Sequence, residues 1–115
     1  MGARRLARAS GAIVLLKGAN SLIARPTGEL VVNPTGTPLL ATAGSGDVLA
    51  GLIGALVAGG LDARDAAMAG AWLHGDAAQT LSLALGDAGL LAHEVADAVP
   101  RARRALTAAP VPPDA

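Results

Sequence analysis

Apolar positions fall along the chain in short bursts separated by turn residues, and the spacing within each burst sets the element it predicts. Ala3 to Ala9 has helical composition, and Gly11 stops it before Ile13-Val14-Leu15-Leu16, a β-branched and leucine run that predicts a buried strand. Two further apolar runs, Ser21 to Ala24 and Glu29 to Val32, flank Pro26-Thr27-Gly28, where proline presets φ and glycine relieves the turn, so the pair is expected to form a hairpin. Asn33 to Thr42 contains Pro34, Gly36 and Pro38 and reads as an irregular connection.

Beyond that loop the pattern turns helical. Residues 47–58 are apolar nearly all round, with flat spots at Gly51 and Gly54, so a helix here must be covered on most sides. Gly59-Gly60 ends it, Asp62 is placed to cap a second helix through Ala84, and Gly86 closes that one. Leu90 to Val99 predicts a third helix, which reaches Leu106 if Pro100 bends it rather than breaks it. The expected class is therefore α/β: a β-hairpin followed by three helices, with residues 1–107 as part of a domain and 108–115 as a disordered tail. Three short strands make a thin sheet for so apolar a helix, which leads us to expect a portion of something larger.

Composition narrows the partners. Nine basic and nine acidic residues cancel, and Trp72 is the lone aromatic, so neither nucleic acid nor an anionic membrane is expected as partner. The apolar stretch from Val48 to Leu61 is interrupted by glycines and falls short of the ~20 residues of a membrane span. With no cysteine there is neither a disulfide framework nor a thiolate metal site. The basic start followed by a short apolar run ended by Lys17 fits no secretory signal, so a cytoplasmic location is expected. Exposed apolar surface would favour a homo-oligomer.

The strongest chemical signal is Ala41-Thr42-Ala43-Gly44-Ser45-Gly46-Asp47 directly before the apolar helix. Two glycines allow the backbone to turn its N–H groups inward, and a helix start adds unpaired donors and the positive end of the macrodipole. Gly44, Ser45 and Gly46 thus form a candidate anion hole for a phosphoryl group, with Asp47 beside it able to accept a proton from an attacking hydroxyl. Taken alone, the same residues read equally well as a flexible loop and an N-cap. There is no Walker P-loop and no Gly-x-Gly-x-x-Gly. Lys17-Gly18 ends a strand where α/β proteins meet nucleotides, although a lysine in a turn is commonly just exposed. Asn33 and Thr35 either touch a substrate or make Asx-type turns, the commoner case. His74 reads as a hydrogen-bonded packing residue, Trp72 as core, and His93-Glu94 with Arg101 to Arg104 as a solvated helix face.

In order along the chain, Lys17-Gly18-Ala19-Asn20-Ser21, Asn33-Pro34-Thr35-Gly36, Leu40 to Gly51, Leu73-His74-Gly75 and Asp87 to Ala92 resemble the consecutive motifs of the NAD(P)H-hydrate dehydratases. The resemblance implies the carboxy-terminal portion of a ribokinase-like three-layer α/β fold. It implies repair of hydrated NADH or NADPH, in which ADP, or ATP, phosphorylates the ring hydroxyl and phosphate then leaves. Carried over by position, Lys17, Gly18, Ala19, Asn20, Ser21 and Gly46 would hold the nucleotide, and Asp47 would contact the hydrate and act as base, with Asn33 as a further substrate contact. Magnesium bridging the phosphates is the implied metal, with no metal ligand assigned to the chain itself. Ser21 stands where the family usually has threonine, and the family's domain extends further toward its amino terminus. The competing expectations are a ribokinase-like kinase for a vitamin precursor and a non-catalytic piece that binds nucleotide or self-associates.

Overall fold

The computed structural model describes residues 2–18, 20–86 and 88–108; Met1, Ala19, Asp87 and residues 109–115, which hold most of the expected tail, lie outside it. The order is α1 (Ala3–Ser10), β1 (Val14–Leu16), β2 (Leu22–Ala24), β3 (Leu30–Val32), a 3₁₀ turn (Pro38–Leu40), α2 (Ser45–Ala58), α3 (Ala63–Leu85) and α4 (Ala92–Ala108).

The strands form an antiparallel meander, β1-β2-β3, in which Val14, Ala24 and Leu30 sit opposite one another, as do Leu15, Ile23 and Val31. Side chains alternate between the faces of a strand, so this register sorts them into two layers. Val14, Ala24 and Leu30 pack on Ala3 and Ala7 of α1, whereas Ile13, Leu15, Ile23 and Val31 pack on Ala67, Met68 and Ala71 of α3. The sheet is therefore the middle layer of an α/β/α sandwich. The β2–β3 turn is closed by Gly28 N–H donating to the Arg25 carbonyl and by glycine at φ 97°. Below it, the Arg64 guanidinium grips Glu29 and holds that carboxyl below its usual range.

A larger apolar cluster forms where α3 and α4 meet, with Leu39, Leu73, Leu90 and Val95 buried and Trp72 packed against them. The Asp62 carboxylate accepts from the Asp65 N–H at 2.8 Å, so the expected cap of α3 is present.

Four expectations change. The first strand is not buried: it is a sheet edge with a neighbour on one side, and Leu16 is 47% exposed. The Asn33–Thr42 connection contains a 3₁₀ turn, because the Thr37 hydroxyl accepts from Leu39 N–H and Pro38 supplies a helical φ. The last helix begins at Ala92 and runs through Pro100 to Ala108. Its start is set by Glu94, whose carboxylate accepts from the Leu91 N–H at 2.9 Å as the returning half of a capping box, so Glu94 does more than face solvent. Finally, α2 is not covered on most sides: of its 14 residues only Ser45 and Leu49 are buried.

Candidate functional site

Helix α2 begins two residues earlier than its apolar run suggests, which puts Ser45 and Gly46 inside its first turn. Gly44, the N-cap, has φ 87°, a left-handed conformation that costs other L residues roughly 1–2 kcal/mol. It also carries no side chain to cap the helix. Ser45 N–H donates to the Thr42 carbonyl and Val48 N–H to the Gly44 carbonyl. Between them, the N–H groups of Gly46 and Asp47 make no hydrogen bond among the described residues. Two adjacent free donors at the positive end of a helix form an anion site. Lys17, at the end of β1, brings its ammonium against Gly46 so closely that a Cβ there would collide with Nζ. A cation thus comes up against the glycine that carries one of the two free amides, from an element 29 residues earlier in the chain.

This spot opens into a cavity of about 550 Å³. Lys17, Gly18, Ser21, Asn33, Ser45 and Gly46, all expected site residues, line it together with Thr35 to Pro38, Leu49, Ala71, His74 and Gly75. Gly44 and Asn20 are exposed and do not line it, and Ala19 lies outside the described residues. Asp47, in the first turn of α2, is also exposed and is not among the residues that line this cavity.

The cavity floor is α3, and two contacts weld the loops to it. Asn33, buried, donates from Nδ2 to the Thr35 and Ala71 carbonyls at 3.2 and 3.3 Å, while Oδ1 lies 3.3 Å from the Thr35 hydroxyl. The Thr35 hydroxyl donates to the Trp72 carbonyl at 3.0 Å. The Asn33 amide is thus largely engaged within the protein, which leaves little of it for a ligand. Thr35 sits so close to α3 that a Cβ at Gly75 would lie 2.6 Å from the Thr35 carbonyl carbon, so glycine is required by the close approach.

The residue the sequence undervalued is His74. It is buried, and its Nε2 lies 3.1 Å from the Ser45 carbonyl oxygen and 3.3 Å from the Ser45 hydroxyl. A carbonyl can only accept, so Nε2 carries the hydrogen and donates to it. Burial pushes the ring below the ordinary histidine range; the Ser45 carbonyl opposes this and the Lys17 ammonium adds to it. The available signal was the tripeptide Leu73-His74-Gly75 in the middle of a helix, in which His74 meets α2 and Gly75 meets the Thr35 loop.

An α/β/α layer whose loops and helix head surround a lysine and free helix-start amides is an arrangement that suits an anion. The sequence profile of the NAD(P)H-hydrate dehydratases matches residues 2–101. The ADP-dependent (S)-NAD(P)H-hydrate dehydratase of Neisseria meningitidis serogroup B is 50% identical over 105 residues, which are 90% of this chain and 36% of that protein. The bifunctional NAD(P)H-hydrate repair enzyme Nnr of Moorella thermoacetica is 44% identical over 104 residues, 90% of this chain and 20% of that protein. Among solved structures, the ADP/ATP-dependent NAD(P)H-hydrate dehydratase of Bacillus subtilis, co-crystallized with ATP/Mg2+, superposes with a TM-score of 0.85 at 34% identity, over 90% of this chain and 37% of that one. The chain belongs to the NAD(P)H-hydrate dehydratase family, and it spans 36% and 20% of the two curated relatives.

Proposed function

We propose that the chain carries the nucleotide half of an ADP- or ATP-dependent NAD(P)H-hydrate dehydratase site. The observation that supports this best is the Lys17 ammonium lying against Gly46, which carries a free N–H at the head of α2, with both residues lining the cavity. The phosphates lie in the cavity, and the cradle holds the phosphoryl group as charge builds on its oxygens. Asp47, exposed in the same first turn of α2, takes the proton of the hydrate's ring hydroxyl as that oxygen attacks phosphorus. As the new P–O bond forms, the bond from that phosphorus to the nucleotide's bridging oxygen breaks, and AMP leaves from ADP, or ADP from ATP. Loss of phosphate with the ring C–O bond, together with a proton from the neighbouring ring carbon, then restores the ring double bond. Magnesium, when bound, would supply charge neutralisation between the phosphates. Among the described residues no group of three His, Asp or Glu side chains converges to hold an ion. The named relatives favour this reading over a vitamin-precursor kinase.

Calorimetry with ADP tests the cradle: the chain binds ADP, and Lys17→Ala weakens binding by about tenfold or more, the scale of a charge-assisted contact. For the reaction, residues 2–101 are grafted in place of the matching segment of the Neisseria relative. The graft should recover NADPH absorbance from its hydrate only with nucleotide present. Asp47→Asn in the graft should cut turnover by roughly 10²–10⁴ with ADP affinity kept. Undiminished turnover in that variant would remove Asp47 from the mechanism, and phosphorylation of a vitamin-precursor alcohol in its place would favour the kinase.

A further inference from the structure

A peptide group is planar and trans, so its C=O and N–H point in opposite directions and move as one body. The carbonyl of Ser45 and the N–H of Gly46 belong to the same peptide unit. His74 donates to that carbonyl at 3.1 Å, and the Gly46 N–H at the other end is one of the two free donors of the cradle. We propose that His74 is a positioning residue that aims and polarises the Gly46 N–H by holding the Ser45–Gly46 peptide from behind.

Three features of the surroundings support the assignment. His74 stands on α3, the longest helix, in a stretch where Leu73, His74, Gly75, Ala77 and Ala78 are all buried, so its anchor is rigid. Beyond the helical ladder, in which the Ser45 carbonyl takes part, the cap adds no restraint: Gly44 has no side chain, and among the described residues no bond fixes the Gly46 or Asp47 N–H. The Ser45 hydroxyl, 3.3 Å from the same nitrogen, adds a second tie between the ring and the turn. A hydrogen bond accepted by a carbonyl shifts electron density along the amide and makes its N–H a stronger donor. Burial and the Lys17 ammonium keep the ring neutral, so His74 contributes a fixed dipole while Lys17 contributes the charge. The consequence for ligands is selective: phosphate oxygens feel the change, and a nucleoside without phosphates does not.

The inference deepens the nucleotide reading and rests on it for ligand affinity, but the geometry of the peptide can be read without any ligand. The test therefore has two arms on the full chain and its His74→Ala and His74→Gln variants, since the glutamine amide can replace Nε2–H as donor. In the ligand-free protein, the Gly46 amide is followed by nitrogen relaxation and proton exchange. Here His74→Ala is expected to raise its exchange rate and mobility severalfold while the amides of α4 stay unchanged, and His74→Gln to restore the native values. In the second arm, His74→Ala is expected to weaken ADP binding about tenfold, the scale of one lost buried hydrogen bond. Adenosine binding should stay the same, and His74→Gln should recover most of the ADP affinity. An unchanged Gly46 amide in His74→Ala, equal losses for ADP and adenosine, or a glutamine variant no better than alanine would each overturn the assignment. Failure of the wild type to bind ADP would instead defeat the nucleotide reading, with the first arm still judging the peptide.

Discussion

His74 is a base held uncharged inside the protein, which ties stability to pH. Its folded pKa lies below the ordinary value of 6.5, so between the two values the unfolded chain binds a proton that the folded chain refuses. Stability from this residue is complete above 6.5 and is lost as pH falls from there toward the folded pKa. Denaturant midpoints measured from about pH 7 down to about pH 5 should therefore fall more steeply for the native chain than for His74→Gln, which cannot titrate. Parallel curves for the two proteins would mean that the ring is protonated as easily folded as unfolded.

At the same scale, the difference between legible and illegible residues is one of distance. Gly44 announced a turn because its left-handed conformation, φ 87°, is a local property. That Lys17 crosses to Gly46, or that His74 reaches Ser45 from 29 residues away, depends on where helices land after folding. Asn33 shows the opposite error: a polar residue in a suggestive loop is mostly spent on holding that loop to α3.

Among the elements, α2 is the unusual one. A glycine inside a helix costs about 1 kcal/mol relative to alanine, and α2 carries Gly51 and Gly54 where an added Cβ would meet nothing within 4 Å. Gly70 in α3 has a reason within the chain, since a Cβ there would lie 2.6 Å from the Ile53 side chain and 3.6 Å from the Ile53 Cα. Replacing Gly51 or Gly54 by alanine should stabilise the chain by roughly 0.5–1 kcal/mol each in urea unfolding, while Gly70→Ala destabilises it. Loss of stability at Gly51 or Gly54 would contradict an open face on α2. The end of α2 and both ends of α3 were readable because Gly59, Asp62 and Gly86 act on their own neighbours. The passage of α4 through Pro100 was not: proline removes one donor, and burial of Val95 before it and Ala102 after it holds the helix together across the gap.

For the molecule as a whole, the uncovered face of α2 leads into further exposed apolar side chains. Val57, in the last turn of α2, and Leu61, just beyond its end, are 47% and 41% exposed. Surface of this kind favours self-association of the chain. We expect sedimentation at increasing concentration to show species heavier than the 11.2 kDa monomer. The double change Val57→Glu with Leu61→Glu should return the chain to monomer without lowering its thermal midpoint. A native chain that stays monomeric at all concentrations would remove the expectation of a homo-oligomer. Among the described residues no helix is long and apolar enough to cross a membrane.

By itself the sequence determined the α/β class, the hairpin, the three long helices and the stops at Gly59 and Gly86, because period-2 and period-3.6 patterns, proline and glycine dihedrals and caps all act within a few residues. Tertiary structure alone decided that β1 would be an edge, that Asp47 would be exposed and outside the cavity lining, and that lysine and histidine would meet at the Ser45–Gly46 peptide. Those outcomes depend on how α3 lies across the sheet and against the head of α2, and a packing angle between helices has no local signature in the chain.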